Sequence, residues 1–541
     1  MRTAIFRRTG PAVLALVVTL ALTATSCTSE PEPPSPSPSK DGVLRVLAGS
    51  ELQDMAPVLA EAKRATGVSV QFTWTGSLDG ADTVAAGQAD GKYDAVWFPS
   101  NRYLRLDDAA KGKLLSETPV MTTPVAVGVR SGMLSELGWG DGSQVTWGQL
   151  GDAAVAGKLS YGMADPSRSN SGFSALVALA AAFSGAGAAL THADVTKAAP
   201  SLQRFFAGQR LTSGSSGWLA EAYQRAGQNR VAALVNYESV LLSMNRTLPE
   251  ADRLTVIRPL DGVVSADYPL SLLASAGQPA QDSFQRLAKY LTTAETQQRI
   301  SAATLRRPVT PNVAPAAGVP TDLRRELPFP GTRAVADGLL SSYQNELRRP
   351  SRTVYVLDTS GSMKGPRLEA LQAAMARLTG LQDPRGVRRF REREEVTLIE
   401  FASKVKSERT YTVPESAPAV ELARIETDVR AMQANDGTAV YDSLREAYEL
   451  LARQQAAAGD DRFTSIVLMT DGESNEGMKE AEFRSWFGSL TERQRVVPVF
   501  PIQFGEAAKA QLQGIAELTG GKLFDGTGNL DGAFEEIRGY Q

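Results

Sequence analysis

Short apolar runs alternate with amphipathic stretches through most of this chain, which is typical of α/β folds. Apolar runs that predict strands lie at residues 43–48, 68–73, 93–98 and 125–129, with a predicted helix at 52–65. A second set has predicted strands at 159–163, 231–236 and 254–257, and a helix at about 172–183. The chain passes between the sets near Thr123 and again at 259–268, which predicts two lobes separated by a cleft.

A further α/β pattern begins at residue 351. Residues 353–357 are mostly apolar and predict a buried parallel strand, and a helix with Leu368, Leu371, Met375 and Leu378 on one face follows. Strands are predicted at 395–401, 465–469, 496–504 and 522–524, and helices at 440–453, 512–518 and 530–537. Two prolines in 496–504 indicate an edge or an irregular start of that strand. The alternation predicts a doubly wound sheet.

Oxygen-bearing side chains follow the predicted strands of this last domain. Asp358, Ser360 and Ser362 end the first strand, Thr438 follows an Asn-Asp-Gly turn, and Asp471 ends the strand at 465–469. Ligands of doubly wound sheets bind beyond the carboxyl ends of the strands, so these three distant segments can meet there. Because none of the five side chains is soft, we expect Mg²⁺, with Mn²⁺ or Ca²⁺ as alternatives, rather than zinc or copper.

These residues resemble the metal-ion-dependent adhesion site of von Willebrand factor A domains, in the segments Asp358-Thr-Ser-Gly-Ser362, Asp436-Gly-Thr438 and Thr470-Asp-Gly472. The resemblance covers roughly residues 351–541 and implies a Rossmann-like doubly wound fold. It implies that Ser360 and Ser362 bind the metal through their hydroxyls. Thr438, Asp358 and Asp471 would bind it directly or through water. It also implies an open position that accepts an acidic side chain of a protein partner.

The order of elements in residues 42–315 resembles type II periplasmic solute-binding proteins, especially the molybdate- and sulfate-like branch. In that branch, hydroxyls and backbone N–H groups at helix N-termini hold an oxyanion. The resemblance implies a small-molecule or oxyanion ligand, with Ser50, Ser77, Ser171 and Tyr237 as candidate contacts. Serines before helices are more often helix caps, and Asp79 and Glu238 are unfavourable neighbours for an anion. The cleft could therefore bind another solute or none.

The N-terminus has the pattern of an export signal. Arg2, Arg7 and Arg8 precede an apolar run at 12–22, and small residues lead to Cys27, the single cysteine of the chain. This resembles a bacterial lipoprotein signal, with residues 1–26 removed and Cys27 lipidated; the alternative is an ordinary secretory signal. A tether rich in Pro and Ser at 27–41 follows. We expect a lipid-anchored protein on the outer face of the cell membrane. Between the two domains, we expect a connector at residues 316–350.

Charge and composition narrow the function further. Lys and Arg number 57 against 60 Asp and Glu, which gives no electrostatic basis for nucleic-acid binding. The single histidine, His192, excludes a zinc site built on histidines and argues against a Ser-His-Asp triad. We expect a binding protein that is not an enzyme. The alternatives are the solute receptor of an importer and a metal-dependent hydrolase, for which the chain offers no nucleophile motif or phosphate loop.

Overall fold

The computed structural model describes residues 41–225, 231–381, 390–458, 462–504, 509–528 and 530–540. The predicted signal peptide, Cys27 and the tether up to residue 40 lie outside these residues. Within the described residues, no helix is both long enough and apolar enough to cross a bilayer.

In the described residues, the first domain contains twelve strands. They are β1 Val43–Ala48, β2 Ser69–Trp74, β3 Ala95–Trp97, β4 Leu114–Pro119, β5 Met121–Arg130, β6 Tyr161–Ala164, β7 Gln209–Ser213, β8 Ala233–Tyr237, β9 Leu254–Ile257, β10 Ser265–Ala266, β11 Pro269–Leu273 and β12 Arg307–Pro308. Its helices are α1 Ala56–Thr66, α2 Ser77–Ala85, α3 Arg102–Arg105, α4 Leu134–Leu137, α5 Trp147–Val155, α6 Asn170–Ser184, α7 His192–Phe206, α8 Ser216–Arg225, α9 Glu238–Met244, α10 Gln278–Leu291 and α11 Ala294–Thr304.

These strands form two sheets, one in each lobe, as the sequence pattern predicts. The first sheet has the order β2-β1-β3-β11-β4, and the second has the order β10-β5-β8-β6-β7 with β9 and β12 paired to β5. The predicted crossings are confirmed, since β5 carries the chain into the second lobe and β10 and β11 bring it back. Both sheets are mixed rather than wholly parallel, because β11 and β5 run against their neighbours.

The region before the second domain packs on both lobes. Helix α12, Arg333–Ser342, continues into a π-helix at Tyr343–Leu347. On the first lobe, Arg333 forms ion pairs with Asp82 and Asp107 at 2.8 and 3.1 Å. On the second lobe, the ring of Tyr343 lies 5.0 Å from that of Phe206. The predicted connector helix is therefore a packed element of the first domain.

The second domain is built on one six-stranded sheet. Its strands are β13 Ser351–Asp358, β14 Glu395–Phe401, β15 Val405–Thr412, β16 Phe463–Thr470, β17 Val499–Gln503 and β18 Phe524–Asp525. Its helices are α13 Pro366–Leu378, α14 Pro418–Arg430, α15 Val440–Ala458, α16 Glu480–Ser489, α17 Glu492–Arg495, α18 Lys509–Thr519 and α19 Leu530–Arg538. The order β15-β14-β13-β16-β17-β18 is that of a Rossmann-like doubly wound sheet, with β15 antiparallel at one edge.

Strand β13 lies at the centre of this domain and is buried along its whole length. Tyr355 and Leu357 pack into one apolar cluster, whereas Val354 and Val356 pack into another. Alternate side chains of a strand point to opposite faces of its sheet, so β13 contributes to the core on both sides.

The two prolines that predict an edge or an irregular start lie before and within β17, a strand with one weakly paired side. Pro498 precedes β17, and Pro501 pairs with Leu468 of β16. On its other side, β17 pairs with β18 only through Ile502 and Gln503. Pro501 therefore removes no hydrogen bond from a fully paired strand.

Candidate metal centre and solute cleft

The sheet order brings two carboxylates together. Strands β13 and β16 are parallel neighbours, and the chain leaves them towards opposite edges of the sheet. Ligand sites of doubly wound sheets form at this switch point, beyond the carboxyl ends of the strands. Asp358 is the last residue of β13, and Asp471 follows the last residue of β16.

Asp358 is held by hydrogen bonds to both of its carboxylate oxygens. The Ser360 N–H donates to Oδ1 at 2.7 Å, and the Thr470 hydroxyl donates to Oδ2 at 2.5 Å. The side chain is fully buried. Burial raises the pKa of Asp358, and the nearby Asp471 charge adds to this, while the hydrogen bonds from Thr470 and Ser360 oppose it. A cation beside this carboxylate would therefore be stabilising.

The two serine hydroxyls connect Asp358 to Asp471. Ser360 Oγ lies 3.1 Å from Ser362 Oγ, and Ser362 Oγ donates to Asp471 Oδ1 at 2.7 Å. Ser360 and Asp471 are buried, whereas Ser362 is exposed. The predicted ligands on these two strands thus form a continuous row of oxygens that opens to solvent at Ser362.

The loop that carries Thr438 joins this row through backbone contacts. Gly361 N–H donates to Asp436 O at 2.8 Å, and Asn435 N–H donates to Thr359 O at 2.9 Å. A Cβ placed on Gly472 would lie 3.9 Å from both Ser362 Oγ and Thr438 Oγ1, so the two hydroxyls flank this glycine. The structure therefore brings all five predicted metal-site residues to one place.

A cavity of about 550 Å³ opens at this place. It is lined by Ser362, Arg367, Thr438, Asp471, Gly472, Glu473 and Asn475. Asn475 also fixes the Thr438 loop, because its Oδ1 accepts a hydrogen bond from Thr438 N–H at 2.9 Å. The cavity opens the Ser362, Thr438 and Asp471 side of the site to solvent.

The donors fit a hard divalent cation. They are two carboxylates and three hydroxyls, and no nitrogen or sulfur side chain of His or Cys is among them. Within the described ranges, no group of three or more His, Cys, Asp or Glu side chains is placed to hold a metal. Any metal held here would therefore rest on the mixed carboxylate and hydroxyl set, which suits Mg²⁺ or Mn²⁺ better than zinc.

Three residues at the site were not predicted from the sequence. Thr470 fixes Asp358, as described above, and Arg367 of α13 donates from Nη1 to Asp471 Oδ2 at 2.5 Å. Lys406 of β15 donates from Nζ to Thr359 O, Thr359 Oγ1 and Gln433 O, at 3.1, 2.9 and 2.9 Å. Lys406 thereby ties the loop after β13 to the loop that leads to Thr438.

We expect Lys406→Met to weaken Mg²⁺ binding about ten-fold, because residues that orient metal ligands typically contribute at least that much. The measurement is a calorimetric Mg²⁺ titration. Lys404→Met is the matched control, since Lys404 lies on the same hairpin with an exposed side chain. Equal affinities for the two variants would show that the Lys406 contacts do not support the site.

The four predicted solute contacts lie where the two lobes meet. Ser50 begins a 3₁₀-helix after β1, Ser77 begins α2, Ser171 is the second residue of α6, and Tyr237 ends β8. Across the lobes, a Cβ on Gly217 would lie 3.9 Å from Ser50 Oγ, and one on Gly76 would lie 2.7 Å from Arg168 O. The two lobes are therefore in direct contact beside Ser50 and beside Gly76.

Two of the four candidate solute contacts already form hydrogen bonds within the protein. Tyr237 is fully buried, and its hydroxyl accepts from Asn170 Nδ2 at 2.9 Å. Ser171 Oγ lies 3.0 Å from Ser169 Oγ. Ser50 Oγ is buried without a hydrogen-bond partner in the described part of the chain. Ser50 is thus a predicted contact whose buried hydroxyl is available to a ligand.

Arginines neutralise most of the acidic groups around the cleft. Asp79 pairs with Arg168 at 3.5 Å, and Glu238 pairs with Arg258 at 3.2 Å and also with Arg307. Asp54 pairs with Arg306 at 2.8 Å.

Glu51 differs from these groups. Burial raises the pKa of Glu51 to about 7, and the neighbouring Arg306 charge offsets burial only in part. Glu51 is absent from the sequence predictions, because the sequence around it does not indicate that its carboxyl group is desolvated.

Glu51→Gln should stabilise the protein at alkaline pH. A folded-state pKa near 7 lies above the unfolded value near 4.5, so the folded state binds the extra proton between these values. Stability is therefore lost as pH rises from about 4.5 through 7. We expect the variant to be more stable than wild type by about 1–3 kcal/mol at pH 8 and equal to it near pH 4. Thermal unfolding at both pH values tests this, with the exposed Glu136→Gln as control. A constant difference across pH would contradict it.

Comparison with known families agrees with this architecture. Residues 44–304 match the family model described as bacterial extracellular solute-binding protein, and residues 353–473 match that of the von Willebrand factor type A domain. The chain is a solute-binding domain followed by a von Willebrand factor A domain. The candidate metal-site oxygens at the ends of β13 and β16 lie in the A domain. The four candidate solute contacts, from Ser50 to Tyr237, lie in the solute-binding domain.

Among curated relatives, the chain is 29% identical over 130 residues to inter-alpha-trypsin inhibitor heavy chain H4 of Homo sapiens. That match covers 24% of this chain and 13% of the relative. An uncharacterized protein of Synechocystis sp. is 33% identical over 162 residues, which cover 30% of this chain and 32% of that protein. The chain therefore matches only 13% and 32% of the lengths of these two relatives.

Solved structures of periplasmic binding proteins also resemble the chain. The protein AfuA of Actinobacillus pleuropneumoniae, with fructose-6-phosphate bound, has a TM-score of 0.45 and 15% identity, covering 57% of this chain and 99% of that one. A periplasmic thiamin binding protein has a TM-score of 0.44 and 16% identity, covering 56% and 95%.

Proposed function

We propose that this chain is an extracytoplasmic binding protein whose A domain binds an acidic side chain of a protein partner through a divalent cation. Asp358, Ser360, Ser362, Thr438 and Asp471 would hold the cation. When bound, the cation supplies a positive charge with a coordination position open to a carboxylate. Lipidation of Cys27 would anchor the protein to the outer face of the membrane.

One observation carries this proposal. Three segments far apart in the sequence converge at the carboxyl ends of β13 and β16, where their oxygens border a cavity of about 550 Å³. The Asp358 and Asp471 carboxylates are buried, and hydroxyls lie between them. Buried carboxylates without enough countercharge are costly, and a divalent cation removes that cost.

The partner chemistry can be tested with a peptide library displayed on phage. We expect selection on the immobilised protein in Mg²⁺ to enrich peptides that contain Asp or Glu, and washing with EDTA to release them. The Thr438→Ala variant should enrich far fewer acidic peptides, because Thr438 belongs to the metal set and borders the cavity. Equal enrichment in Mg²⁺ and in EDTA, or enrichment without acidic residues, would contradict the proposal.

We also propose that the first domain binds a small solute between its lobes. The buried Ser50 hydroxyl without a partner and the buried Tyr237 support a polar site there. Glu51 adds a carboxyl group beside them, which favours a neutral or cationic solute over an oxyanion. A thermal-shift screen of sugars, amines, amino acids and oxyanions tests this, with Ser50→Ala as control. Stabilisation by oxyanions alone would contradict the assignment.

A further inference from the structure

We propose that Arg367 is a built-in cation that restricts the A-domain site to divalent ions. The inference rests on the proposed function, since it concerns the affinity of the same site for its metal. The proposed ligands of the site are oxygen atoms, which attract any cation. Arg367 adds a positive charge that a metal ion must compete with.

The two oxygens of the Asp471 carboxylate are divided between the site and the arginine. Oδ1 accepts the hydrogen bond from Ser362 Oγ at 2.7 Å, and Oδ2 accepts from Arg367 Nη1 at 2.5 Å. The Asp471 side chain is fully buried, whereas that of Arg367 is 44% exposed. Arg367 also lines the cavity beside Thr438 and Glu473. The guanidinium group can therefore leave Asp471 for solvent without a change in the backbone.

A count of charges shows why this arrangement favours divalent ions. The ionised carboxylates of Asp358 and Asp471 carry two negative charges, and Arg367 pairs with Asp471 and compensates one of them. A monovalent ion that takes the place of the guanidinium on Asp471 leaves the local charge unchanged, so it gains nothing in Coulomb energy. A divalent ion adds a further positive charge beside two carboxylates. Competition with Arg367 thus penalises Na⁺ and K⁺ more than Mg²⁺.

The positive charge of Arg367 must also weaken the binding of Mg²⁺. A cation in hydrogen-bond contact with a ligand carboxylate repels a second cation at that carboxylate, and burial of Asp471 limits the screening by water. The opposing contribution, orientation of Asp471 by Arg367, is smaller because Arg367 is 44% exposed and Ser362 already holds the other oxygen of Asp471. The balance therefore favours tighter binding when the charge is removed.

Calorimetric titration of the full chain with Mg²⁺ tests the proposal, using wild type, Arg367→Gln and Arg367→Lys. Each protein is titrated in choline chloride and in NaCl at one ionic strength. In choline chloride we expect Arg367→Gln to bind Mg²⁺ about ten-fold more tightly than wild type, and Arg367→Lys to resemble wild type because it keeps the charge. In NaCl, Arg367→Gln should lose much of this gain, whereas wild type should bind equally in both salts. Arg377→Gln is the matched control, since Arg377 lies on the same helix and pairs with Asp531.

The outcomes separate this inference from the proposed function. If wild type binds Mg²⁺ and Arg367→Gln binds it with equal or lower affinity, the inference is overturned while the metal site stands. If Arg367→Gln binds more tightly but shows no effect of Na⁺, the selectivity is overturned. If neither protein binds Mg²⁺ in either salt, the proposed function itself fails. As a second readout, the gain in melting temperature from EDTA to Mg²⁺ should be larger for Arg367→Gln than for wild type, because the variant leaves Asp471 uncompensated without metal.

Discussion

Asp358→Asn is expected to reduce Mg²⁺ affinity at least about 100-fold, because it removes one of only two carboxylates in the site. The same change should leave the metal-free protein at least as stable as wild type. Burial raises the pKa of Asp358, so its charge is unfavourable at neutral pH without a cation, and asparagine removes that charge. Calorimetry with Mg²⁺ measures the first effect, and thermal unfolding in EDTA measures the second.

The opposite signs of these two effects make the test specific. A variant that merely misfolds would lose both metal binding and stability. Asp531→Asn changes a partly exposed carboxylate of α19 that pairs with Arg377, and this control should bind Mg²⁺ like wild type. Equal heats from Asp358→Asn and wild type would contradict the assignment of Asp358 as a ligand.

Glu394→Gln is expected to lower the free energy of unfolding by about 3 kcal/mol. Glu394 is fully buried beside β14, where Arg348 and Arg538 both donate to its carboxylate, the latter at 2.8 Å to each oxygen. Arg391 N–H adds a third donor at 2.9 Å. The carboxylate thus joins the end of the connector, the A-domain sheet and helix α19. Its removal takes the shared anion away from the buried Arg348 and the partly buried Arg538.

The effect of Glu394 should depend on pH in a defined way. Burial alone would raise the pKa of Glu394, but the Arg538 and Arg348 charges outweigh burial and hold the pKa at about 2, below the unfolded value near 4.5. Stability from this group is complete above pH 4.5 and is lost as pH falls towards 2. Urea unfolding should therefore show the full difference at pH 7 and a smaller one at pH 4. The exposed Glu492→Gln serves as control. A difference that does not change with pH would contradict this account.

The A-domain site was largely predictable because its residues occupy fixed places relative to the strands. Asp358 ends an apolar strand and Asp471 follows another, so a doubly wound sheet brings them together wherever the intervening chain runs. Ser360 and Ser362 follow Asp358 at alternate positions in one loop. Thr438 could be added only through the family resemblance, since no strand leads directly into its loop.

Residues that act through tertiary contacts could not be predicted. Lys406 lies on β15, whose mostly polar sequence gives no strand signal and which exists because it pairs with β14. Arg367 looks like an ordinary exposed residue in the first turn of α13, and only the fold directs it to Asp471. The sequence pattern reports burial and periodicity, but it does not report which long side chain crosses to a neighbouring loop.

The charges around the cleft were equally difficult to predict from the sequence. Asp79 and Glu238 are unfavourable neighbours for an anion when the sequence is considered alone, yet Arg168, Arg258 and Arg307 neutralise them from distant segments. The sequence around Glu51 does not mark it as unusual. Burial nevertheless raises the pKa of this carboxyl group to about 7. The charge of a cleft depends on pairing between segments, so composition around one residue is a poor guide to its ligand.

The proposed metal site can be tested directly with an anomalous difference map from crystals of the protein soaked in Mn²⁺. Manganese prefers the same oxygen donors as Mg²⁺ and is located by its anomalous scattering. We expect one strong peak beyond the ends of β13 and β16, within bonding distance of Ser360 Oγ and Ser362 Oγ and beside Asp358, Thr438 and Asp471. Absence of a peak there, or a peak only elsewhere on the protein, would contradict the claim that these oxygens form a divalent-metal site.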